Sequence, residues 1–250
     1  TSLENSYIVD GVNTTGLTFG TVGSSLINDF IEEIEIITGG YNAEYGRATG
    51  GVVNVVTKSG SNEFHGSVFT YITPGFLVAE RTRSPSEASS IDVESNLAYN
   101  MDFGFELGGP IVKDKVWFYV GFAPRLARTN VDKITKRLTD CRSVLADGSL
   151  SECNPTMYGD GTPDEDPDSG FRIFEDLDTK RLTADSSQFQ FVSKINFAVA
   201  PEHQGQVTLT GTPLSGQSVG VNGDPAASTV DFSQLTTALA AKWPSKSNNT

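Results

Sequence analysis

The sequence is poor in the residues from which metal and redox sites are most often built. Only two cysteines and two histidines occur among its 250 residues, so an ordinary zinc site with cysteine and histidine ligands is not expected. No uncharged apolar run reaches about 18 residues, which excludes transmembrane helices. The first residues, Thr1 to Glu4, also lack the basic and apolar segments of a signal peptide.

Positive charge is scarce as well. The chain has 18 lysines and arginines against 31 aspartates and glutamates, which gives a formal net charge of −13 at pH 7. Nucleic acid and anionic lipid head groups are therefore not expected as ligands. Hydrophobic residues make up 37% of the chain, a modest share that is explained if they are concentrated in alternating segments.

Signatures of enzymes are missing. The glycine-rich segment Gly46 to Gly51 is not followed by the lysine and hydroxyl residue of a phosphate-binding loop. No Gly-x-Ser-x-Gly nucleophile elbow occurs. His65 and His203 lie at the edges of predicted strands, without an evident nucleophile or orienting acid. We therefore assign no catalytic residue and predict that the protein is not an enzyme.

The stretch from Glu44 to Gly60 organises the N-terminal part of the chain. Tyr45 to Gly51 is predicted to be a tight turn, because its glycines allow positive φ and close approach of the backbone. Val52 to Thr57 is a short β-branched run, typical of a strand buried on both faces. Before it, Ile34 to Thr38 is predicted to be a second strand.

Two further elements are predicted upstream. A strand from Ser6 runs into a turn at Asp10 and Gly11. Leu26 to Glu33 is predicted to be a short helix, because apolar residues recur there at helical spacing. Together these elements predict a small α+β unit.

Beyond Asn62 the pattern changes to long alternating strands. In the clearest example, Phe189, Phe191 and Ile195 alternate with polar residues such as Gln190 and Lys194. Six strands are predicted: one with Phe69 and Tyr71, one with Met101 to Leu107, Val116 to Phe122, Phe189 to Val199, one with Val207 and Leu209, and one from near Ala238 to Trp243.

Alternation alone also fits a water-soluble β-sandwich. The predicted connections, however, alternate between long and short, as in outer-membrane barrels. The short ones lie near residues 109–114 and 201–204, and the long ones near 74–96, 130–185 and 212–235. Trp117 to Tyr119 follow a short turn, and this position predicts an aromatic girdle at the periplasmic edge of a membrane.

Two blocks of sequence resemble a known family. Ile31 to Phe69 is similar to the C-terminal half of the plug domain of TonB-dependent outer-membrane receptors, and it continues directly into a strand. Phe103 to Tyr119 resembles the second and third barrel strands of the Oar-like branch of this family. The chain departs from many siderophore receptors, which carry arginines where it has Glu33 and Thr38.

The resemblance implies a mainly β fold in two parts. Residues 1–62 would be the C-terminal part of an α+β plug, and residues 63–250 the first antiparallel strands of an incomplete transmembrane β-barrel with long extracellular loops. The residues that carry the plug motif are Tyr45, Gly46, Arg47, Gly50, Gly51, Asn54 and Lys58. The start of the plug would precede Thr1, and further strands would follow Thr250.

The same resemblance implies the function. The protein would lie in the outer membrane of a Gram-negative bacterium, in contact with its lipid. It would pass a large ligand, such as an oligosaccharide, a peptide or protein, or a metal chelate, through a plugged barrel. The energy would come from the TonB complex, whose contact segment is not in this chain. No cofactor is implied.

The second long loop contains both cysteines, Cys141 and Cys153. If the loop is exported it meets an oxidising environment, and a short closed loop is easily bridged. We therefore predict a disulfide that staples the loop; two unpaired thiols are the alternative.

The same loop has an acidic pattern that resembles a calcium-binding loop. Asp164, Asp166 and Asp168 alternate, and Glu175 is the twelfth position counted from Asp164. Ser169 stands where such loops need glycine. A weak calcium site is one interpretation, and a solvated acidic loop is the other.

A second hypothesis comes from a different class of protein. The chain would then be a secreted β-rich adhesion or binding module with an acidic loop that could bind calcium. This hypothesis accounts for the acidity and the disulfide, but it explains neither the plug motif nor the alternating lengths of the connections.

Overall fold

The computed structural model describes residues 4–16, 26–40, 50–79, 90–154, 161–200, 203–220 and 229–243. The described residues form two β-sheets and contain no α-helix. No helix among them is long and apolar enough to cross a membrane. The predicted boundary between residues 62 and 63 falls in the connection between the two sheets, and the division into two domains stays a prediction.

The first sheet has four strands in the order β2-β1-β4-β3. They are β1 (Asn5–Val9), β2 (Val12–Asn13), β3 (Ile31–Ile37) and β4 (Gly51–Thr57). β1 runs parallel to β4, and the other two pairs are antiparallel. The predicted turn between β1 and β2 is confirmed: Asp10 and Gly11 both have positive φ, as a tight two-residue hairpin turn requires.

The predicted helix from Leu26 to Glu33 is wrong. Only a single 3₁₀ turn forms, at Asn28–Phe30, and Ile31 already begins β3. The apolar spacing fits a helix as well as a strand, but Ile34 faces Val55 across the ladder with β4. Because both residues of this pair are β-branched, their pairing favours a strand over a helix.

β4 is central in its sheet, but it is not buried on both faces as predicted. Val52 and Thr57 are buried, whereas Val56 is 37% exposed. The neighbouring strand β3 is short and mostly exposed. The run of valines therefore reflects strand propensity and a central position in the ladder rather than two covered faces.

The second sheet has eight strands, all paired antiparallel. They are β5 (His65–Pro74), β6 (Ile91–Val112), β7 (Val116–Leu138), β8 (Phe174–Ala200), β9 (His203–Gly211), β10 (Leu214–Val219), β11 (Thr229–Gln234) and β12 (Thr237–Lys242). β5, β6, β7 and β8 pair in sequence order, and β9 and β10 both pair with β8.

The last four strands amount to two interrupted ones. β9 and β10 follow the same edge of β8 and are separated only by Thr212 and Pro213. Proline has no N–H for the ladder, which explains the break. β11 and β12 pair with β10 and β9 in the same way. The sheet thus contains the six successive antiparallel strands that the sequence predicts, and Trp243 lies just after the last one.

The long connections are shorter than predicted, because the strands continue through polar sequence. β7 reaches Leu138 and β8 begins at Phe174, where the sequence predicted a loop from residue 130 to 185. The predicted loop 212–235 holds β10 and β11. Polar residues occupy both faces in these regions, so no apolar alternation reveals the strands.

The two faces of the eight-stranded sheet differ in chemistry. One face exposes apolar side chains, among them Phe103, Phe105, Leu107, Phe122, Phe189 and Ile195. The rings of Phe122 and Phe189 stack at 6.3 Å between centroids. The opposite face carries Glu106, Tyr119 and Lys194 and packs on the first sheet.

The predicted aromatic girdle at Trp117 to Tyr119 is wrong for two of its three residues. The indole N–H of Trp117 donates to Asn62 of the connection between the sheets, and Tyr119 is fully buried. Alternation along β7 turns both toward the first sheet and leaves only Phe118 on the other face. Instead, Phe197 and Trp243 form an aromatic pair at this end of the sheet, at 5.2 Å.

Candidate functional site

The contact between the two sheets centres on a buried ion pair. Nζ of Lys194, on β8, lies 2.9 Å from Oδ1 of Asp10, in the turn after β1. The side chains are 1% and 2% exposed. Lys194 also donates to the backbone carbonyl of Thr57, at 2.7 Å. A charge this deeply buried is tolerable only when it is paired and hydrogen-bonded, and both conditions are met.

Thr57 completes this cluster from the end of β4. Its hydroxyl donates to Oδ2 of Asp10 at 2.6 Å, and its N–H donates to Oδ1 at 3.1 Å. The N–H of Asp10 in turn donates to the carbonyl of Val55. Asp10 therefore accepts hydrogen bonds from both sheets, and its left-handed φ of 48° brings its carboxylate to that position.

A second polar cluster gathers around Glu106 on β6. Nζ of Lys58, just after β4, donates to both carboxylate oxygens, at 2.8 and 3.0 Å. The hydroxyl of Tyr119 on β7 donates to Oε2 at 2.6 Å, and that of Ser67 on β5 donates to Oε1 at 3.0 Å. One carboxylate thus connects β5, β6 and β7 of the second sheet with Lys58, which follows the last strand of the first sheet.

An apolar contact lies beside these clusters. Phe30 is completely buried and packs against Tyr119, Ala123 and Val192. Its ring also covers Gly121: a Cβ at that position would lie 2.6 Å from a ring carbon. The glycine thus leaves a hole in the second sheet, and the phenyl ring of the first sheet fills it.

The connection between the two sheets is also held by hydrogen bonds near the start of β5. The side chain of Asn62 accepts hydrogen bonds from the N–H of Asp114, at 2.9 Å, and from the indole of Trp117, at 2.7 Å. Asp114 has a left-handed φ of 64° in the short turn between β6 and β7. The connection therefore runs along the end of the sheet that carries the short turns.

The predicted motif residues have different fates. Tyr45, Gly46 and Arg47 lie outside the described residues. The N–H of Gly50 donates to the carbonyl of Glu4, and Gly51 begins β4. The side-chain amide of Asn54 makes a long, exposed contact with the carboxylate of Glu35, at 3.5 Å. Lys58 binds Glu106, so it is the motif residue with a clear place in the contact between the sheets.

Four residues of this contact were not singled out as site residues from the sequence: Asp10, Phe30, Glu106 and Lys194. Each lies in an ordinary pattern, such as a turn aspartate or a lysine on the polar face of a strand. Their importance arises from pairing across long sequence separations, 184 positions for Lys194 and Asp10. Nothing in the local sequence pattern distinguishes these residues from their neighbours on the same turn or strand face.

The loop between β7 and β8 forms a second candidate site. The predicted disulfide between Cys141 and Cys153 is confirmed, with Cα atoms 4.9 Å apart. It closes a short hairpin in which Val144 and Leu150 form a β-bridge. A second hairpin follows, with a bridge between Glu165 and Arg172.

Asp164 connects these two hairpins from a buried position, 6% exposed. Its carboxylate accepts the N–H groups of Cys141, at 3.2 Å, and Arg142, at 3.1 Å. Burial alone would raise the pKa of Asp164. Hydrogen bonds from Thr139, Cys141 and Arg142, together with the Arg142 charge, outweigh burial and lower that pKa below its usual value.

The structure does not assemble the four acidic residues of the calcium pattern into one site. Asp164 binds backbone N–H groups, Asp166 accepts from the Ser169 hydroxyl at 2.6 Å, and Glu175 pairs with Arg137 at 2.7 Å. Asp168 donates its N–H to Asp166. Among the described residues, no group of three or more metal-binding side chains comes together. Calcium binding stays a prediction that this geometry does not support.

Comparison with known proteins agrees with this architecture. The family described as an outer membrane beta barrel domain matches residues 56–237. The TonB-dependent transporter Oar of Myxococcus xanthus is 38% identical over 220 residues, which cover 88% of this chain and 19% of that protein. The probable TonB-dependent siderophore receptor PirA of Acinetobacter baumannii is 39% identical over 85 residues, 34% of this chain and 9% of that protein.

Among solved structures, a mutant of the ferric enterobactin receptor (PfeA) from Pseudomonas aeruginosa is similar over 96% of this chain and 38% of its own. Its sequence identity is 14% and its TM-score is 0.39. A similarity at this level carries no argument about function.

Long antiparallel strands that expose an apolar outer face are part of an outer-membrane β-barrel. The chain belongs to the family of TonB-dependent outer-membrane transporters, and its place is the outer membrane of a Gram-negative bacterium. It spans less than a fifth of the curated relatives it matches. Those relatives are transporters and receptors rather than enzymes, and the hypothesis of a secreted adhesion module is wrong.

Proposed function

We propose that the complete protein moves a large ligand through its barrel, using energy that the TonB complex delivers to the plug. The first sheet is the part of the plug present in this chain, and the second sheet is the beginning of the barrel wall. The ligand class is an oligosaccharide, a peptide or protein, or a metal chelate.

The observation that supports this proposal is the buried pair of Lys194 and Asp10. It joins the plug to the wall through directed, charged hydrogen bonds, beside the Lys58–Glu106 contact and the packing of Phe30. Directed hydrogen bonds of this kind are either formed or broken, so the contact can switch between two states. A broad apolar interface would instead separate gradually. Separating the two charges while they stay out of water is costly, because each is then buried without its partner. In this proposal the TonB complex supplies that energy.

The barrel size expected of a TonB-dependent transporter supports the same proposal. Barrels of about 22 strands enclose a wide lumen, which a plug must fill to prevent leakage. A filled lumen passes nothing large, so transport requires the plug to shift. A ligand alone can shift it only by as much as its affinity differs between the two states.

The apolar outer face of the second sheet fits contact with membrane lipid. Side chains such as Phe105 and Phe189 are 47% and 39% exposed there. In water this much exposed apolar surface would drive aggregation, whereas in lipid it is the expected exterior. Outer-membrane lipid is therefore the proposed surroundings of this face.

Labelling of a buried cysteine tests the proposal directly. Thr57 is fully buried beneath the ion pair, so Thr57→Cys in the full-length protein should react with a maleimide only when the plug moves. We expect labelling in energised cells that grow on a protein and carbohydrate hydrolysate, and little labelling in cells without TonB.

Ser61→Cys is the matched control, because Ser61 is exposed in the same connection. It should react equally in both strains. Labelling of Thr57→Cys that does not depend on TonB would contradict an energised movement of the plug.

A further inference from the structure

The apolar outer face of the second sheet has a definite edge. On β8 the apolar side chains of this face run from Val199 to Phe189, which are 61% and 39% exposed. The two residues are ten positions apart, a separation of about 33 Å along a strand. At a strand tilt of about 40° this length corresponds to a height of about 25 Å, the usual height of the lipid-facing band of an outer-membrane barrel.

Polar side chains follow the band at the same level on three neighbouring strands. β8 continues on this face with Ser187 and Asp185, whose cross-strand partner on β7 is Arg128, and Tyr99 on β6 lies opposite Arg128. The long loop from residue 139 to 173 joins β7 and β8 at this end, and long loops of outer-membrane barrels are extracellular. Tyrosine is typical of the membrane–water interface. These residues therefore lie at the level of the lipid head groups of the outer leaflet.

A groove of about 390 Å³ opens on the outer face at this level. Sites for small molecules occupy about 300–1,000 Å³, so the groove is large enough for a compact group such as a sugar ring. Its lining comes from β6, β7, β8 and β10. The polar side chains that line it are those of Tyr99, Arg128, Asp185, Ser187, Ser215 and Gln217.

An ion pair in the lining has hydrogen-bonding capacity to spare. Nε and Nη2 of Arg128 donate to the two carboxylate oxygens of Asp185, at 2.6 and 2.9 Å. A guanidinium has five N–H donors and each carboxylate oxygen has two lone pairs, so this pairing leaves about three donors and two acceptor positions. The side chains are 44% and 48% exposed. The guanidinium also lies over the ring of Tyr99, at 5.7 Å from its centroid, which fixes its orientation.

The charges of the groove cancel. Among the described residues that line it, only Arg128 and Asp185 are charged. A phosphate group would be attracted by the guanidinium and repelled by the carboxylate beside it. A neutral hydroxyl can accept from the one and donate to the other, and the hydroxyls of Ser187 and Ser215, 3.0 Å apart, offer further partners. The groove therefore suits a sugar better than a phosphate.

We propose that this groove binds the sugar head group of a glycolipid in the outer leaflet, with the acyl chains along the apolar band. The groove is continuous with the lipid-facing surface, so a lipid covers both at once, whereas a soluble sugar would leave the band beside it uncovered. This inference goes beyond the proposed function. It rests on the membrane location of the outer face and not on energised transport.

The experiment counts the lipid molecules that the purified full-length protein retains in detergent, by native mass spectrometry. The probe is digalactosyl dioleoylglycerol, which has a neutral sugar head group. Its matched partner is phosphatidylglycerol with the same acyl chains, and the free disaccharide represents soluble sugars. We expect the galactolipid to bind at least about tenfold more tightly than either of the others, because it combines several hydrogen bonds in the groove with acyl contact on the band.

Arg128→Leu with Asp185→Leu is the decisive variant. It removes one charge of each sign, so the net charge is unchanged, and an exposed ion pair contributes little to stability. We expect affinity for the galactolipid to fall about tenfold and affinity for phosphatidylglycerol to stay unchanged. Arg137→Leu with Glu175→Leu is the control. It removes another exposed pair between the same two strands, beyond the level of the head groups, and should not alter binding.

The inference is overturned if the two lipids bind equally, or if the variant at positions 128 and 185 binds the galactolipid like the wild type. Equally tight binding of the free disaccharide would overturn the assignment to a lipid. Lipid retention in detergent does not need TonB. Loss of TonB-dependent plug movement with selective lipid binding retained would therefore contradict the proposed function alone. Plug movement without selective lipid binding would contradict only this inference.

Discussion

Lys194 and Asp10 form an ion pair of 2.9 Å although 184 positions separate them in the chain. Both side chains are almost completely buried, so neither charge is solvated by water. A lysine of the second sheet therefore fastens the first sheet through its turn aspartate. In the observed arrangement each charge is buried against its partner, so loss of either partner leaves the other buried and unmatched.

Lys194→Met should loosen the plug without disturbing the barrel. Removing one partner of a buried pair costs about 3–5 kcal/mol, because the other charge remains buried. We expect faster hydrogen exchange in β1 and β4 of the full-length protein, and unchanged exchange in β7. The double variant Lys194→Met with Asp10→Asn should regain part of the protection. Wild-type exchange in the single variant would show that the pair does not hold the plug.

Gly121→Val should displace the ring of Phe30. Even the first carbon of the new side chain would lie 2.6 Å from that ring, and overpacking of a filled contact costs about 1–3 kcal/mol. We expect protease sensitivity to rise near Phe30. The double variant Gly121→Val with Phe30→Ala should be less sensitive than expected from the two single variants. Additive effects of the two substitutions would mean that the residues do not share one space.

Much of the fold follows from local pattern. The barrel strands were predictable because apolar residues alternate along them, as Phe189 and Phe191 do with Gln190. The turn at Asp10 and Gly11 follows from the two residues themselves. The disulfide was predictable because an exported loop contains the two cysteines of the chain.

The rest depends on contacts that no local pattern encodes. The helix predicted from Leu26 to Glu33 is replaced by a 3₁₀ turn and the start of β3, since pairing with β4 outweighs helical spacing. The end of β7 and the start of β8, next to the loop that joins them, were predicted as loop. Their cross-strand pairs are charged, as for Asp132 and Arg181, so no apolar alternation marks them as strands. Tyr119 was assigned to the membrane edge, but it binds Glu106 beneath the plug.

Removal of the disulfide should open the loop between β7 and β8. Cys141→Ala with Cys153→Ala removes the closure of the first hairpin, and closure of a short loop contributes about 2–4 kcal/mol. We expect protease to cut the residues from 139 to 173 of the full-length protein faster, while the barrel stays intact. Mass spectrometry of non-reduced wild-type peptides should show the linkage. Equal cutting of wild type and variant would contradict a stapling role.

Acid should open the same loop through Asp164. Its pKa is lowered in the folded loop, so its contribution to stability is complete above the pKa of the unfolded chain. That contribution is lost as pH falls through the folded value. We expect pepsin to cut the loop progressively faster below about pH 4, the usual aspartate range. Asp164→Asn should remove most of this pH dependence; a variant with the wild-type profile would exclude Asp164 as its source.

The final prediction concerns transport, and it uses the contact of Lys58 with Glu106. Nζ of Lys58 lies 2.8 Å from the carboxylate of Glu106. The two side chains therefore bridge the segment just after β4 and the barrel wall. Cysteines at both positions can be joined in the full-length protein by a short bis-maleimide that replaces this span. The joined form holds the plug against the wall and leaves the extracellular loop free.

We expect joining to stop TonB-dependent uptake of label from an isotope-labelled protein and carbohydrate hydrolysate, and to leave binding of that label to cells unchanged. The same double variant without the bis-maleimide should still transport, which separates the effect of the link from loss of the ion pair. A single variant, Lys58→Cys, treated with the reagent controls for modification alone. Uptake that continues at the wild-type rate through the joined form would mean that the plug need not leave the wall at Glu106, because a fixed contact there would then be compatible with passage of the ligand.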